Sequence, residues 1–131
     1  MTEHNQEPIG LIAGGGQFPL LFTEAARARG RRVVAIGHVN ETMAALQEKA
    51  DSLLWVKLGQ LGKIIKHFHR EGVRETVFAG TITKTRIFRD IFPDLKGLAL
   101  WNKIDIRQDD AILRAVAAAL EDEGIGVLPS T

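Results

Sequence analysis

Short continuous apolar runs alternate along the chain with segments in which apolar residues recur at helical spacing. The first run, Gly10–Ala13, is typical of a strand that is covered on both faces, because its hydrophobicity is continuous and not alternating. From Phe18 onward, apolar residues recur every three or four positions. Pro19 suits a first helical turn and Gly30 a helix end. The pattern therefore predicts a buried parallel strand followed by a helix.

The same strand and helix unit recurs through the rest of the chain. Further strands are predicted over 33–36, 53–56, 76–79 and 125–128, and further helices over 41–49, 61–71, 95–104 and 111–123, with residues 82–93 irregular or forming a helical turn. Strands that alternate with helices are typical of a doubly wound α/β fold. We predict a Rossmann-like, mostly parallel sheet of about five strands in the order 3-2-1-4-5, with helices on both faces.

Length and composition set the class of protein. The chain has 131 residues, which suits one domain, and its net charge of +1 gives no general footprint for nucleic acid. It has no cysteine, so disulfides and thiolate metal sites are excluded and a cytoplasmic location is permitted. Residues 1–8 are polar and are predicted to be a flexible terminus that precedes a domain over 9–131.

Three consecutive glycines, Gly14, Gly15 and Gly16, follow the first predicted strand. Without Cβ atoms the chain can turn sharply and its amides can approach a ligand, and the helix that follows offers unpaired N–H groups to a phosphate. We predict that the triplet and Gln17 bind substrate; the alternative is a tight turn that binds nothing. The loop lacks the Lys-Ser/Thr of a P-loop, and Pro19 replaces the third glycine of a dinucleotide fingerprint.

A second group of polar positions follows the fourth predicted strand, in "FAGTITKTR". The predicted substrate contacts here are Gly80, Thr81, Ile82 and Thr83. With the charges of Lys84 and Arg86 this segment could hold a diphosphate, and a solvated loop explains it equally well. In "KLGQLGK", Gly59 and Gly62 are better explained by a plain turn and helix start than by ligand contact.

Paired acids precede the last predicted helix. Asp109 and Asp110 are the candidates for catalytic and substrate-binding residues, because carboxylates can hold Mg²⁺ or a water beside a phosphate. The simpler interpretation is that one of them caps the helix. Asp105 and Arg107 lie on the same approach.

The histidines carry less information. His67 and His69 lie two positions apart on a predicted helix, so they point to different faces and make a poor metal pair; both are predicted to be surface residues. His38 and Asn40 follow the second predicted strand, where doubly wound folds often contact a ribose. An ordinary loop is the favoured interpretation there.

Four segments of the sequence, taken together in their order along the chain, are a more specific signature than any one motif. They are "GLIAGGGQFP", "KLGQLGKII", "VFAGTITKT" and "RQDDAILRAVAAALEDEGIGVLPST". Together they resemble the amino-terminal half of the LpxI family, the UDP-2,3-diacylglucosamine pyrophosphatases of lipid A biosynthesis. The resemblance runs from Ile9 to Thr131.

The resemblance implies an activity and a set of partners. Members of this family use Mg²⁺ and water to cleave the pyrophosphate of UDP-2,3-diacylglucosamine into UMP and 2,3-diacylglucosamine 1-phosphate (lipid X). They have two domains with the substrate between them, and the amino-terminal one is Rossmann-like. By resemblance the glycine triplet, the segment 80–83 and the acids at 109–110 would line the cleft between the domains.

Family members are about twice as long as this chain, which corresponds to two domains. The resemblance therefore places a carboxy-terminal catalytic domain, with an essential aspartate, outside the chain, and we expect little or no hydrolysis from the chain alone. The face that would meet this domain could self-associate into a homo-oligomer, and a lipid substrate implies peripheral contact with the inner membrane.

Two other functions fit the residues. A stand-alone module could bind a nucleotide or sugar nucleotide without chemistry. An NAD- or FAD-dependent oxidoreductase is less well supported, because the third glycine of the fingerprint and an acidic residue at the end of the second strand are both missing.

Overall fold

The computed structural model describes residues 7–81, 93–104 and 111–129. The strands are β1 (Ile9–Ala13), β2 (Val33–His38), β3 (Ser52–Val56), β4 (Glu75–Ala79) and β5 (Gly126–Leu128), and the helices are α1 (Phe18–Ala28), α2 (Leu46–Lys49), α3 (Leu61–Glu71), α4 (Leu95–Trp101) and α5 (Ala111–Asp122).

The strands form one parallel sheet in the order β3-β2-β1-β4-β5. In the register, Ile9 of β1 lies between Val33 of β2 and Glu75 of β4. From β1 the chain adds β2 and then β3 on one side of β1, and it then adds β4 and β5 on the other side. The predicted fold class and strand order are confirmed, and the change of direction between β1 and β4 marks the edge where such sheets bind ligands.

Apolar residues cover both faces of the sheet, as a parallel sheet requires. On one face, Leu11 and Ala13 of β1 pack with side chains of α1 and α2. On the other face, Ile12 packs with residues of α3 and with Leu120 of α5. The two faces are separated by the alternation of side chains along each strand.

Helix α3 lies close against the middle of the sheet. A Cβ atom at Gly10 would lie 2.8 Å from the ring of Phe68 and 2.8 Å from the Thr76 hydroxyl oxygen. Phe68 has no exposed surface. The absence of a side chain at Gly10 therefore lets an aromatic residue of α3 seat directly on β1.

His67 corrects one prediction, because it is buried on α3 and not a surface residue. Its Nε2 lies 3.4 Å from the Ser52 hydroxyl oxygen of β3. His69 is exposed, as predicted, and its Nε2 lies 2.9 Å from the Glu123 carbonyl oxygen. The two rings leave the helix on different sides, in agreement with their spacing.

Two helices are shorter than the pattern predicts. Helix α2 covers only Leu46–Lys49 of the predicted 41–49, because Asn40 has a positive φ of 70° and the amides of Glu41 and Thr42 both donate to the His38 carbonyl in a turn. Helix α4 ends at Trp101 and not at 104. Most of the predicted flexible terminus and of the irregular segment at 82–93 lies outside the described residues.

None of the helices in the described ranges is long and apolar enough to cross a membrane.

Candidate functional site

The two predicted substrate-binding loops meet at the carboxyl edge of the sheet. The Gly14 N–H donates to the Ala79 carbonyl, with an N···O distance of 2.8 Å. Gly15 and Thr81 form an antiparallel bridge, in which the Gly15 N–H donates to the Thr81 carbonyl (2.7 Å) and the Thr81 N–H donates to the Gly15 carbonyl (3.2 Å). The loop after β1 and the loop after β4 are therefore one hydrogen-bonded unit.

Glycine is required in this unit because the two backbones touch. A Cβ atom at Gly14 would lie 2.6 Å from the Thr81 carbonyl oxygen. A Cβ atom at Gly80 would lie 2.6 Å from the Gly15 carbonyl oxygen, and Gly80 also has a positive φ of 94°. Gly14 and Gly80 thus serve the contact between the loops, and the N–H groups of Gly14 and Gly15 are already bonded to protein carbonyls.

Gly16 differs from its two neighbours. Its φ is 83°, and nothing lies within 4 Å of the position that a Cβ atom would occupy. The exposed stretch that begins here, 16–18, leads directly into α1, where Gln17 is the N-cap residue and makes no side-chain cap. No acceptor within the described ranges takes the N–H of Gly16, Gln17 or Phe18. The open part of the glycine loop is therefore the N-terminus of α1, the kind of position at which anions bind.

His38 is the second correction, since it is the last residue of β2 and buried, not part of an ordinary loop. Its ring nitrogen Nδ1 lies 2.8 Å from the Ala13 carbonyl oxygen. The Thr42 hydroxyl accepts from the His38 N–H (2.8 Å) and donates to the same Ala13 oxygen (2.9 Å). This network ties the end of β1 to the turn after β2, one residue before the glycine triplet.

The network fixes the tautomer of the His38 ring. A carbonyl oxygen can only accept, so Nδ1 carries the proton and the neutral ring keeps a lone pair on Nε2. Burial lowers the pKa of His38 below its ordinary value, and the hydrogen bond to Ala13 opposes this only in part. Among the described residues, Nε2 has no hydrogen-bond partner. His38 is therefore a neutral acceptor at the carboxyl edge.

A cavity of about 270 Å³ opens beside these loops. Gly14, Gly80 and His38 form part of its wall. The remaining wall is largely apolar and comes from β1, β4, the turn after β3 and helices α3, α4 and α5, with Phe78, Leu61, Trp101, Ile112 and Val116 among its residues. Gly59 and Gln60 also line it, so the "KLGQLGK" turn adjoins the cavity although it was predicted to be a plain turn.

Four predicted site residues lie outside the described residues: Ile82, Thr83, Asp109 and Asp110. The same holds for the charged residues Lys84, Arg86, Asp105 and Arg107. Within the ranges that the structure describes, no group of three or more His, Cys, Asp or Glu side chains could hold a metal ion. The assignments of the acids and of Mg²⁺ therefore stay predictions.

The sequence favoured an ordinary loop at His38, whereas the residue ends β2 and lines the cavity. The signal was available, because a residue at the carboxyl end of β2 is placed toward the ligand edge in doubly wound sheets. Its burial and its bond to Ala13 depend on the turn at 39–42, which no periodicity reveals. The two glycine loops were likewise recognised as separate motifs, and the sequence did not indicate that they are hydrogen-bonded to each other.

Comparison with solved structures supports the fold. The biotin carboxylase subunit of pyruvate carboxylase superposes with a TM-score of 0.52 at 18% identity, covering 93% of this chain and 22% of that one. A complete multifunctional pyruvate carboxylase from Rhizobium etli superposes with a TM-score of 0.53 at 16% identity, covering 93% of this chain and 11% of that one. At this identity the likeness concerns the fold alone.

Comparison of sequences identifies the family. The profile of the LpxI N-terminal domain matches residues 8–131. The UDP-2,3-diacylglucosamine pyrophosphatase LpxI of Caulobacter vibrioides is 32% identical over 124 residues, which cover 91% of this chain and 42% of that protein. The chain thus spans about two-fifths of the length of this curated relative. It belongs to the LpxI N-terminal domain family.

Proposed function

We propose that this chain is the amino-terminal domain of a hydrolase that cleaves the pyrophosphate of UDP-2,3-diacylglucosamine. The products would be UMP and 2,3-diacylglucosamine 1-phosphate (lipid X), in lipid A biosynthesis. The observation that carries the proposal is the 32% identity to a pyrophosphatase of that name along nearly the whole chain. The joined glycine loops at the carboxyl edge of the sheet support it, because this edge is where a phosphate ligand fits the fold.

Within this site we assign the phosphate contact to the start of α1. Gly14 and Gly15 use their amides to join the loops, whereas the exposed amides at 16–18 have no acceptor among the described residues. Because the N-terminal end of a helix carries a partial positive charge, it favours an anionic group. Thr81, together with Ile82 and Thr83, would complete the substrate-binding wall from the side of β4.

We further propose that Mg²⁺ is the metal of the complete enzyme, on the basis of the family resemblance. The described residues do not form a set of ligands for it. The ion would neutralise charge on the diphosphate. Its ligands would come from Asp109, Asp110 and the domain outside this chain.

We propose a carboxy-terminal domain as the partner of this edge, on the basis of the 42% of the relative's length that the chain covers. Phe18, which follows Gln17, and Val39, which follows His38, are each 43% exposed, and we take these two residues as the rim of the edge. Large apolar side chains at the rim of a binding edge are typical of a surface that another element covers. We propose that the second domain closes over this rim. The chain alone would then hydrolyse little or no substrate, because bulk water in the open site weakens the electrostatic stabilisation of the transition state.

We propose a cytoplasmic location with peripheral contact to the inner membrane. The support is chemical: a diacylated substrate partitions into a bilayer, while its nucleotide half needs an aqueous, phosphate-binding site. For the isolated chain, in which no second domain covers the rim, we propose homo-oligomerisation through that surface.

The proposal is tested by incubating the product of the entire gene with UDP-2,3-diacylglucosamine and Mg²⁺ and separating the products. Release of UMP and lipid X in equal amounts, abolished by EDTA and restored by Mg²⁺, is the expected result. Binding of UDP-2,3-diacylglucosamine without turnover would contradict the enzyme assignment and support the stand-alone binding module. Release that persists in EDTA would contradict the metal assignment alone.

A further inference from the structure

One polar group of the cavity has no role in the phosphate contact described above. His38 is 5% exposed, yet it forms part of the cavity wall and its Nε2 has no partner among the described residues. The ring cannot turn freely, because Nδ1 is held by the Ala13 carbonyl. Nε2 is not one of the fully buried side-chain atoms that lack a partner, so a donor that enters the cavity can reach it.

We propose that His38 is a specificity residue, whose Nε2 accepts a hydrogen bond from an N–H or O–H group of the uridine half of the substrate. This inference rests on the proposed function, since it names the part of the substrate that enters the cavity. The pyrophosphate would lie at the start of α1, and the nucleoside would extend from it past Gly14 and Gly80 toward His38.

The chemistry of the substrate excludes several other partners for this acceptor. A diphosphate at neutral pH offers negatively charged oxygens, and a hydrocarbon chain offers no donor at all. The donors of the substrate are the N3–H and ribose hydroxyls of the uridine and the hydroxyls and amide N–H of the glucosamine. The position of His38 at the end of β2 favours the uridine among them. The aromatic residues Phe78 and Trp101 line the same cavity, which suits a flat base among apolar walls with a few polar groups.

The position of His38 in the fold supports the same partner. In doubly wound sheets, the residue at the end of the second strand commonly contacts a ribose hydroxyl, and an acidic side chain usually does so. Here no acidic residue ends β2, and the position holds a neutral imidazole. The lone pair on Nε2 would take the place of the carboxylate as acceptor.

The variant His38→Asn tests the proposal. An asparagine amide can still donate to the Ala13 carbonyl from the position of Nδ1, but it places no acceptor at the position of Nε2. In the product of the entire gene we expect the KM for UDP-2,3-diacylglucosamine to rise about tenfold with little change in kcat, because a ground-state contact is lost. His69→Asn is the matched control, since it changes an exposed histidine that is not part of the cavity wall.

Substrate analogues identify the donor. Binding of UMP, 3-methyl-UMP, 2′-deoxy-UMP and 3′-deoxy-UMP is measured by calorimetry with the wild-type protein and with His38→Asn. We expect one analogue to bind about tenfold more weakly than UMP to the wild type and equally well to the variant, because the two changes remove the same hydrogen bond. Loss with 3-methyl-UMP would identify the base, and loss with a deoxy analogue would identify the ribose.

A spectroscopic readout is independent of activity. The ¹⁵N spectrum of the 131-residue chain should show the His38 ring as the Nδ1–H tautomer, with its Nε2 signal moving when UMP is added. An unchanged Nε2 signal at saturating UMP would overturn the inference. So would an unaltered KM in His38→Asn, and in that case continued UMP release by the wild type would leave the proposed hydrolase standing.

Discussion

At the scale of single residues, the contact between the glycine loops makes Gly80 less replaceable than Gly16. Both have positive φ values, of 94° and 83°, so an L-side chain is strained at either position. Only at Gly80 would the added Cβ also collide with backbone, at 2.6 Å from the Gly15 carbonyl oxygen. The two positions therefore separate the effect of strain from the effect of the collision.

We expect Gly80→Ala to lower the free energy of unfolding by about 3 kcal/mol, since strain and overpacking add. Gly16→Ala, as the matched control, should cost about 1 kcal/mol, since only strain applies. Urea unfolding of the two variants beside the wild type measures the difference. Equal losses in both variants would show that the loops do not pack as closely as described.

His38 predicts a dependence of stability on pH. Burial lowers its pKa in the folded state, so below about pH 6.5 the unfolded chain binds a proton that the folded chain does not. The free energy of unfolding is therefore highest above this pH and falls by up to about 1.4 kcal/mol per pH unit as the pH decreases toward the folded-state pKa. Burial also lowers the pKa of His67, which acts in the same direction.

Urea unfolding between about pH 7.5 and pH 5.5 checks this dependence. His38→Asn should have a shallower slope than the wild type, because the titrating ring is gone. A wild-type slope that His38→Asn leaves unchanged would contradict the burial of a neutral imidazole at this position.

The residue scale is also where sequence reasoning was least complete. The glycine triplet and Gly80 were recognisable as turn residues, because glycines that directly follow an apolar strand allow a sharp turn of the backbone. Which amides face another loop and which face open space depends on the pairing of Gly15 with Thr81, a contact between positions far apart in the chain. The residues next to Gly15 or next to Thr81 in the sequence do not indicate that these two positions pair.

At the scale of elements, Asp94 joins two helices on one side of the sheet. Its Oδ1 accepts from the Gly97 N–H at 2.9 Å as the N-cap of α4, and its Oδ2 accepts from the Lys63 N–H at 3.1 Å in the first turn of α3. One carboxylate thus satisfies amides at the N-termini of both helices. Because α4 contributes Trp101 to the cavity, Asp94 also positions part of its wall.

We expect Asp94→Ala to cost about 1–2 kcal/mol in the free energy of unfolding, because amides of two helix N-termini lose their acceptor. Lys96→Ala is the control: it removes only an exposed ion pair with Glu123, whose Nζ···O distance is 2.7 Å, and it should cost less. Thermal unfolding of the two variants measures both. A larger loss of unfolding free energy in Lys96→Ala than in Asp94→Ala would contradict the stabilising role of the Asp94 capping contacts.

The elements themselves were largely predictable. The parallel direction followed from the alternation of apolar runs with helical spacing. The strand order was taken from the habit of doubly wound folds and not from the sequence itself. Helix α4 was harder to place because Gly97 is a poor helix former. The structure explains this residue: a Cβ there would collide with the Gly59 carbonyl, so the glycine lets α4 approach the turn after β3.

At the scale of the whole molecule, the carboxyl edge of the sheet brings together the groups on which the proposed function depends. It presents the amides at the start of α1, a neutral acceptor on β2 and an apolar cavity. The chain matches 42% of the length of its curated relative. We therefore propose that this domain recognises the substrate and that hydrolysis requires the assembled protein.

The most direct test of this account is the rate of UMP release from UDP-2,3-diacylglucosamine with Mg²⁺, measured in parallel for the 131-residue chain and for the product of the entire gene. We expect steady release by the longer protein, little or none by the chain, and binding of UMP by both. Release by the chain at a comparable rate would contradict the division of labour between two domains. Absence of release from both would contradict the assignment of this chain to a pyrophosphatase.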